Sequence, residues 1–366
     1  MVTSSWSLDR AKISPMRVRT SPGVVLYLFI FLYLFAIPGR VSANVTLLLA
    51  EPYGKFGSLN PTGHAAIYLS RVCAESPTVL RRCLPSEAGV VISRYHRIGG
   101  YDWLAVPLVP YLYAVDQVGD IPSTADEALI AQLRDSYRRQ HWRELVADGP
   151  SGKMPAGDWI QLAGAAYDRK IYAFEIETSE DQDDALIAEL NAKPNQSHFN
   201  LFFRNCADFA RAVVNFYYPR SVHRSFIADF GFTTPKQVAK SLVQYSERNH
   251  DLEFRAFVIP QVPGGLARSR KVHGVIESLV RTKKYVVPLT ILQPWAVGGM
   301  IAAYLVRGRF NAAKYTAGHY EEGELLLRLG EQIPEPVAVS QEPQHHKQAS
   351  APRAALTTHL NERQYF

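Results

Sequence analysis

The sequence predicts an α+β fold in which an antiparallel sheet packs against a helix that begins at a cysteine. Two observations predict this fold. Short β-type runs separated by turn residues occupy much of the stretch 44–98, a pattern typical of strands joined by hairpins. Further along, apolar residues recur from Cys206 onward with the spacing of one helical face. The chain has 366 residues, of which 47% are hydrophobic, so it can build a core on such a sheet.

Residues 1–43 have the features of an export signal. A basic stretch precedes Val24–Ile37, an unbroken apolar run of 14 residues that is long enough for a signal sequence and short for a membrane span. Small residues at 41–43 suit cleavage before Asn44, and an uncleaved anchor is the alternative. Removing 1–43 lowers the formal charge from +6 to +2, so the remaining chain lacks the basic footprint of a nucleic-acid-binding protein.

The first strands of the domain surround a pair of cysteines. Strands are predicted over 44–51, 64–72 and 89–98. The segment between Cys73 and Cys83 is predicted to be the connection of the hairpin that the last two strands form. Because the leader takes the chain out of the cytosol, we expect the two cysteines to form a disulfide, with two ordinary thiols as the alternative. Cys206 is then a free thiol.

Further elements follow along the chain. Thr124 and Glu127 form a predicted capping box, which begins a helix that continues to about Val146. Strands are predicted over 170–178 and 199–203, and between them the acidic helical segment 179–194 is predicted to be a surface insertion. An amphipathic helix is predicted over 235–248. With the first strands and the Cys206 helix, these elements make up one predicted domain over 44–260.

The helix that begins at Cys206 carries a buried stripe. Its apolar positions are 206, 209, 210, 213, 214 and 217. A cysteine in the first turn of a helix lies in the partial positive charge of the helix dipole, which favours a thiolate. The free backbone N–H groups there can also bind the oxyanion of a tetrahedral intermediate. Small cysteines are common on buried helix faces, so a purely structural role is the alternative.

His64 is the predicted partner of Cys206. It follows a Thr-Gly turn at the start of a strand, where core filling explains a histidine poorly. A cysteine nucleophile needs a base of this kind that is adjacent in space rather than in sequence.

The segments Gly-His-Ala-Ala-Ile-Tyr-Leu, around His64, and Asn-Cys-Ala-Asp-Phe-Ala, around Cys206, resemble the circularly permuted papain-like superfamily. This superfamily includes the lecithin:retinol acyltransferase-like enzymes and relatives of the NlpC-type cell-wall peptidases. The resemblance covers roughly residues 44–245 and is confined to short motifs. In the permuted members the histidine strand precedes the cysteine helix, as it does here. The resemblance therefore implies that Cys206 is the nucleophile and His64 the base.

Enzymes of this superfamily usually have a third polar residue that orients the imidazole from the neighbouring strand. In an antiparallel hairpin, the end of the second strand lies opposite the start of the first. His96 is therefore the predicted third residue, and Ser93 takes its place if the register differs. An exposed strand position for His96 is the alternative.

The C-terminal part contains a second apolar stretch. Residues 285–306 are free of charged side chains and long enough to cross a bilayer, so they are predicted to form a transmembrane helix. A buried or interfacial hairpin of the main domain is the alternative, because Pro288 and Pro294 interrupt the stretch. Residues 261–284 are predicted to be a linker and 307–366 a polar, largely disordered tail.

These features predict an exported, membrane-associated thiol hydrolase or acyltransferase of the cell envelope. Its substrate would be an amide or ester bond of an envelope peptide or lipid. No metal or cofactor motif is present in the sequence, and none is expected. The alternative is a non-catalytic envelope binding or structural protein that retains the same fold.

Overall fold

The computed structural model describes residues 43–54, 61–85, 87–196 and 198–316. The strands in this part of the chain are β1 (Ala43–Ala50), β2 (His64–Leu69), β3 (Val72–Ser76), β4 (Val79–Arg82), β5 (Val90–Ser93), β6 (Leu104–Pro107), β7 (Ile171–Thr178) and β8 (Phe254–Ile259). Six of them form an antiparallel sheet in the order β6-β5-β2-β1-β7-β8, and β3 pairs with β4. The predicted α+β class with an antiparallel sheet is confirmed.

Helices cover both faces of the sheet. They are α1 (Leu108–Tyr113), α2 (Glu127–His141), α3 (Ala165–Asp168), α4 (Glu180–Ala192), α5 (Cys206–Tyr217), α6 (Phe226–Asp229), α7 (Pro235–Ser246), α8 (Val275–Arg281), α9 (Lys283–Leu292) and α10 (Pro294–Ala303). Residues 45–50 of β1 and all of β2 are buried on both faces, which explains why these strands are mainly apolar.

Two hydrophobic cores lie on opposite faces of the sheet, because successive strand residues point to opposite sides. One core contains Ala66 and Tyr68 of β2 together with residues of α1, α2 and α3. The other contains Ala65 and Ile67 together with residues of α5 and α7. Helix α5 buries the face that the sequence predicts for the Cys206 helix.

The segment between Cys73 and Cys83 is more structured than the predicted connection. It forms the β3–β4 hairpin, and a disulfide joins the two cysteines with their Cα atoms 4.8 Å apart. The acidic segment predicted to be a surface insertion is helix α4, which packs against this hairpin. The Asn191 side chain accepts a hydrogen bond from the Leu80 N–H and donates one to the Leu80 carbonyl.

The prediction of one transmembrane helix over 285–306 is wrong. Helix α9 ends at Leu292, the backbone of Gln293 leaves the helical region at φ −145° and ψ 69°, and α10 begins at Pro294. Proline disfavours a helical conformation of the residue before it and donates no N–H, so it begins a helix more readily than it continues one. Within the described ranges, no helix combines the length and hydrophobicity that crossing a bilayer requires.

Parts of the predicted linker and tail pack on the domain. Glu277 of α8 is buried and forms an ion pair with Lys236 of α7. Phe310 stacks on Tyr315 and its ring lies 6.4 Å from that of Phe174 in β7. Residues 1–42 of the predicted leader and residues 317–366 of the predicted tail lie outside the described residues.

Two predicted elements differ in detail. The segment 199–203 is a turn rather than a strand, because the Asn200 side chain accepts hydrogen bonds from the N–H groups of Phe202 and Phe203. Asp126, not Thr124, caps helix α2, since its carboxylate accepts from the N–H of Leu129 at 2.8 Å.

Replacing both disulfide cysteines, Cys73→Ser with Cys83→Ser, should lower the free energy of unfolding by about 2–3 kcal/mol, because the unfolded chain loses a ten-residue constraint. Urea unfolding of the non-reduced protein followed by circular dichroism measures this. Cys206→Ser is the control and should leave the midpoint almost unchanged. An unchanged midpoint in the double variant would show that the hairpin holds without its disulfide.

Candidate active site

His64 lies at one end of the sheet, where β2 begins. It pairs with Ala50 of β1, which pairs in turn with Ile171 of β7, so these three residues share one face. His64 is 9% exposed. The ladder between β2 and β5 ends at Ile67 and Ile92. Extending its register places Tyr95 opposite His64, and the two rings are stacked with their centroids 5.2 Å apart.

Ser93, the last residue of β5, fixes the tautomer of His64. Its Oγ lies 2.7 Å from the carbonyl oxygen of Ala65 and 3.1 Å from Nε2 of His64. A carbonyl only accepts, so the single hydroxyl proton goes to Ala65 and the Ser93 oxygen accepts from Nε2–H. These hydrogen bonds assign the neutral imidazole its proton on Nε2. The lone pair on Nδ1 is then the basic position of the ring.

The structure does not bring His96 to this position. The observed register places Tyr95 opposite His64, and β5 has already ended. His96 is exposed instead, with Nδ1 3.2 Å from an oxygen of Asp158 and its ring edge-on to Phe199. Ser93, the alternative that the sequence offered, is the residue that contacts the imidazole.

A capping box fixes the start of helix α5. The Asn205 side chain accepts a hydrogen bond from the N–H of Asp208 at 3.0 Å, and the Asp208 carboxylate accepts from the N–H of Asn205 at 3.4 Å. Asp208 is buried and also accepts from Arg224 at 2.8 Å and from the Thr233 hydroxyl at 2.6 Å. The position of Cys206, the first residue of the helix, is therefore held by a hydrogen-bonded network.

A second buried network ties the end of β5 to the same helix. The Arg94 guanidinium pairs with both oxygens of Asp102, at 2.9 and 2.7 Å, and donates to the carbonyl of Asn205 at 3.3 Å. It also lies over the ring of Phe209, 5.4 Å from the centroid. This contact holds the strand that carries Ser93 against the helix that carries Cys206.

The sulfur of Cys206 meets the sheet at Ala65, the residue after His64. The backbone N–H groups of Ala65, Ala207 and Cys206 itself interact with the sulfur and lower its pKa. The N–H and C=O of one strand residue point to the same side of the strand. Ala65 therefore presents its C=O to Ser93 and its N–H to Cys206, so the Cys206 sulfur lies at the residue that follows His64 in β2.

The Cys206–His64 pair is neutral at rest. Burial raises the pKa of the Cys206 thiol, and this outweighs the lowering by the backbone N–H groups and by Arg169. Burial and the charge of Arg169 lower the pKa of His64 to about 3. The thiolate that the helix dipole was expected to favour is therefore not the resting form. The Cys206 thiol and the His64 imidazole are therefore both uncharged at neutral pH.

Two tyrosines and an arginine that the sequence did not predict surround this pair. Tyr95 and Tyr111 are buried, and a negative charge on Cys206 contributes to raising the pKa of both, after the larger effect of burial. Arg169 is 3% exposed and lies over the ring of Tyr53, 4.6 Å from its centroid. The sequence signal that could have identified Arg169 is a charged residue just before a strand that is buried. The residues around Arg169 could not be predicted, because they depend on the pairing of β7 with β1.

The one candidate group of metal ligands among the described residues includes both disulfide cysteines. In the part of the chain that the structure describes, Cys73, Cys83 and Glu87 are the group whose atoms lie close enough together to bind one ion. Both sulfurs are joined in the disulfide, so neither can supply a thiolate ligand.

The chain was compared with protein-family models, with curated proteins and with solved structures, and none of them matches. Inferences about its function therefore rest on the geometry of the site.

His64 should make the protein sensitive to acid. An unfolded histidine titrates near 6.5, whereas the folded protein keeps His64 neutral down to about 3, so between these values the unfolded chain binds more protons. The stability that His64 contributes is present above about pH 6.5 and falls by about 1.4 kcal/mol per pH unit toward pH 3.

Urea unfolding of the wild type and of His64→Asn at pH 7, 6, 5 and 4 measures this contribution. The variant should have the shallower decline over this range. His96→Asn, which changes an exposed histidine, is the matched control and should decline as the wild type does. Equal slopes for the wild type and His64→Asn would show that His64 is protonated in the folded protein.

Proposed function

We propose that this protein is a cysteine hydrolase or acyltransferase that cleaves an amide or ester bond through a thioester on Cys206. One observation carries the proposal: Ser93 holds His64 with Nδ1 unprotonated, at the residue next to the one whose N–H meets the Cys206 sulfur. A base with a fixed tautomer beside a thiol at a helix N-terminus is the arrangement that nucleophilic catalysis by cysteine needs.

The reaction would begin from the neutral pair. As the sulfur attacks the substrate carbonyl, Nδ1 of His64 takes the thiol proton, so neither group needs to be charged beforehand. The carbonyl oxygen becomes an oxyanion, and backbone N–H groups at the start of α5 are available to stabilise it. Ser93 accepts from Nε2–H throughout, which keeps the imidazolium oriented.

Breakdown of the intermediate returns the proton. The C–N or C–O bond breaks, and the leaving amine or alcohol takes the proton from Nδ1 of His64, which leaves the acyl group on Cys206 as a thioester. His64 then takes a proton from the second nucleophile as that nucleophile attacks the thioester. Water gives hydrolysis, and an amine or alcohol acceptor gives acyl transfer.

We also propose that the protein associates with a membrane surface through helices α9 and α10. Their side chains leave a large apolar area in solvent, with Trp295 91%, Ile291 76% and Leu292 72% exposed. Lys283 and Lys284 begin the pair, so basic charge flanks the apolar surface. Exposed aromatic and aliphatic side chains beside basic residues are typical of helices that lie in the lipid–water interface.

An apolar surface also lies beside the active site. Leu201, Phe202 and Phe203 are about half exposed in the turn just before Asn205 and Cys206, and Phe202 contacts Phe232 with ring centroids 5.1 Å apart. Such a surface suits an acyl chain, and this favours a lipid substrate over an envelope peptide. The leader and the disulfide support a location on the extracytoplasmic side of the membrane.

A non-catalytic envelope binding protein is the second candidate. The observation that favours it is the neutral state of Cys206 and His64, since a reactive cysteine usually has a lowered pKa. The two candidates differ in whether His64 increases the rate at which Cys206 is acylated.

The catalytic proposal is tested with p-nitrophenyl butyrate as an activated ester. The wild type should release p-nitrophenolate and form a butyryl thioester on Cys206, detected by mass spectrometry. Cys206→Ser should form no thioester, and His64→Ala should acylate roughly 10²–10⁴-fold more slowly, because the general base is lost. Ser93→Ala should cause a smaller loss.

His96→Ala is the matched control and should acylate at the wild-type rate. If Cys206 acylates equally fast with and without His64, the thiol is an ordinary one and the binding-protein candidate stands.

The membrane proposal is tested with vesicles of phosphatidylcholine and phosphatidylglycerol, using the chain from Asn44 onward. Trp295→Ser combined with Ile291→Ser should weaken cosedimentation about tenfold or more, because two apolar side chains leave the interface. Leu84→Ser is the control, since Leu84 is 62% exposed on the disulfide hairpin. Unchanged binding of the double variant would contradict a membrane role for these helices.

A further inference from the structure

We infer that Arg169 binds an anionic group of the substrate, a carboxylate or a phosphate, beside the Cys206–His64 pair. This inference rests on the proposed function and names the substrate class: an acyl compound with a negatively charged group close to the bond that is cleaved.

Arg169 is a buried cation without an anionic partner among the described residues. It is 3% exposed, its Nε has no hydrogen-bond partner there, and no described carboxylate lies within ion-pair distance. The Asp168 carboxylate beside it in the sequence pairs with Arg134 at 2.5 Å.

The other arginines buried in this domain are satisfied. Arg94 pairs with Asp102, Arg134 with Asp168, and Arg138 with Asp135 and Asp148. An unpaired buried charge is strongly unfavourable, because the energy lost on leaving water is not recovered. Burial lowers the pKa of Arg169, but Tyr53, Tyr111 and Asp168 together raise it by more, so the guanidinium stays charged. Because no described carboxylate forms an ion pair with this charged group, it favours binding of an anionic ligand.

The sheet places Arg169 on the face that carries His64. Ile171 and His64 both pair with Ala50, and the backbone at Arg169 is extended at φ −154° and ψ 150°. Alternation along an extended chain puts residue 169 on the same side as residue 171. The Tyr53 ring covers one face of the guanidinium, so a ligand would bind to its edge, where the N–H donors lie.

The charge of Arg169 acts on both reacting groups. It lowers the pKa of His64 and that of Cys206, and it also affects Tyr95 and Tyr111. A bound anion would offset this charge, raise the pKa of His64 and make Nδ1 a stronger base. The substrate would therefore assist its own cleavage.

Carboxylates and phosphates are the groups that a guanidinium recognises best, through two parallel N–H···O hydrogen bonds. Either group could belong to a lipid headgroup or to a small soluble acyl compound. The shared requirement is an anionic group with two oxygen atoms that can accept from one guanidinium.

Iodoacetate and iodoacetamide test the inference, because they differ mainly in charge. In both reactions the Cys206 sulfur bonds to the methylene carbon, iodide leaves and the thiol proton goes to His64 or the buffer. Rates of alkylation at Cys206 are measured by mass spectrometry, and each rate is divided by that of the same thiol in urea.

The normalised ratio of iodoacetate to iodoacetamide should be about tenfold or more higher in the wild type than in Arg169→Gln, as expected for loss of one charged hydrogen bond. Arg169→Lys keeps the charge without the planar donor set and should give an intermediate ratio. Acetate, inorganic phosphate and vesicles of phosphatidylglycerol should each be tested for an Arg169-dependent change in the rate of iodoacetamide labelling, an increase through the basicity of His64 or a decrease through covering of the sulfur. A change caused by the small ions points to a soluble substrate, and a change caused by the vesicles alone points to a headgroup.

A second measurement does not depend on thiol reactivity. Phosphate or acetate should raise the Tm of Cys206→Ser, and should not raise that of Cys206→Ser with Arg169→Gln. Arg169→Gln itself should fold with a Tm close to that of the wild type, because it breaks no ion pair with a described carboxylate.

Equal alkylation ratios in the wild type and Arg169→Gln, with no anion effect on labelling or Tm, would overturn the inference. If labelling by iodoacetamide still requires His64 in that case, the proposed function stands. If labelling does not require His64 but the anions still raise Tm through Arg169, the anion site stands and the catalytic proposal fails.

Discussion

The arrangement of the site depends on the peptide edge of Ala65 that no strand pairs. Ala65 pairs with Leu49 of β1 on one side, but β5 stops pairing with β2 at Ile67 and Ile92, so on the other side its N–H and C=O are free for side chains. Ser93 donates to the C=O and thereby fixes the tautomer of His64, while the Cys206 sulfur lies at the N–H. If the β2–β5 ladder extended to a hydrogen-bonded pair of Ala65 with Arg94, it would use both groups, and Ser93 and Cys206 would lose their common support.

Burial determines how such a pair can react. The backbone N–H groups at the start of α5 favour a thiolate, but desolvation of the sulfur is the larger effect, and the thiol stays protonated. Desolvation and the Arg169 cation likewise keep His64 neutral. Proton transfer must then accompany attack on the substrate. In the proposed mechanism the thiol stays protonated until a substrate binds, and an anion beside Arg169 would then increase the basicity of His64.

The sequence predicted the helix and the strand of the site better than it predicted which residues of other elements lie beside them. The stripe that begins at Cys206 and the turn before His64 are local patterns, and the structure has a helix and a strand at these places. The register between β2 and β5 is not local, and a shift of one residue separates His96, which the sequence favoured, from Tyr95, which stacks on the imidazole. Arg169 could not be assigned, because its surroundings depend on β7 lying beside β1. The uncharged, apolar composition of 285–306 also led to the prediction of one continuous helix, although the chain forms two helices that Gln293 separates and the second begins at Pro294.

Nitrogen-15 NMR of His64 in the wild-type protein tests most directly whether a neutral base with a fixed tautomer faces the thiol. The resonances should show a protonated Nε2 and an unprotonated Nδ1 at pH 7, and this pattern should persist down to pH 5, because the pKa is about 3. His64→Asn provides the assignment, since its spectrum lacks these two signals. An imidazolium at pH 7, or a proton on Nδ1 in the neutral ring, would contradict the assignment of His64 as the base for Cys206.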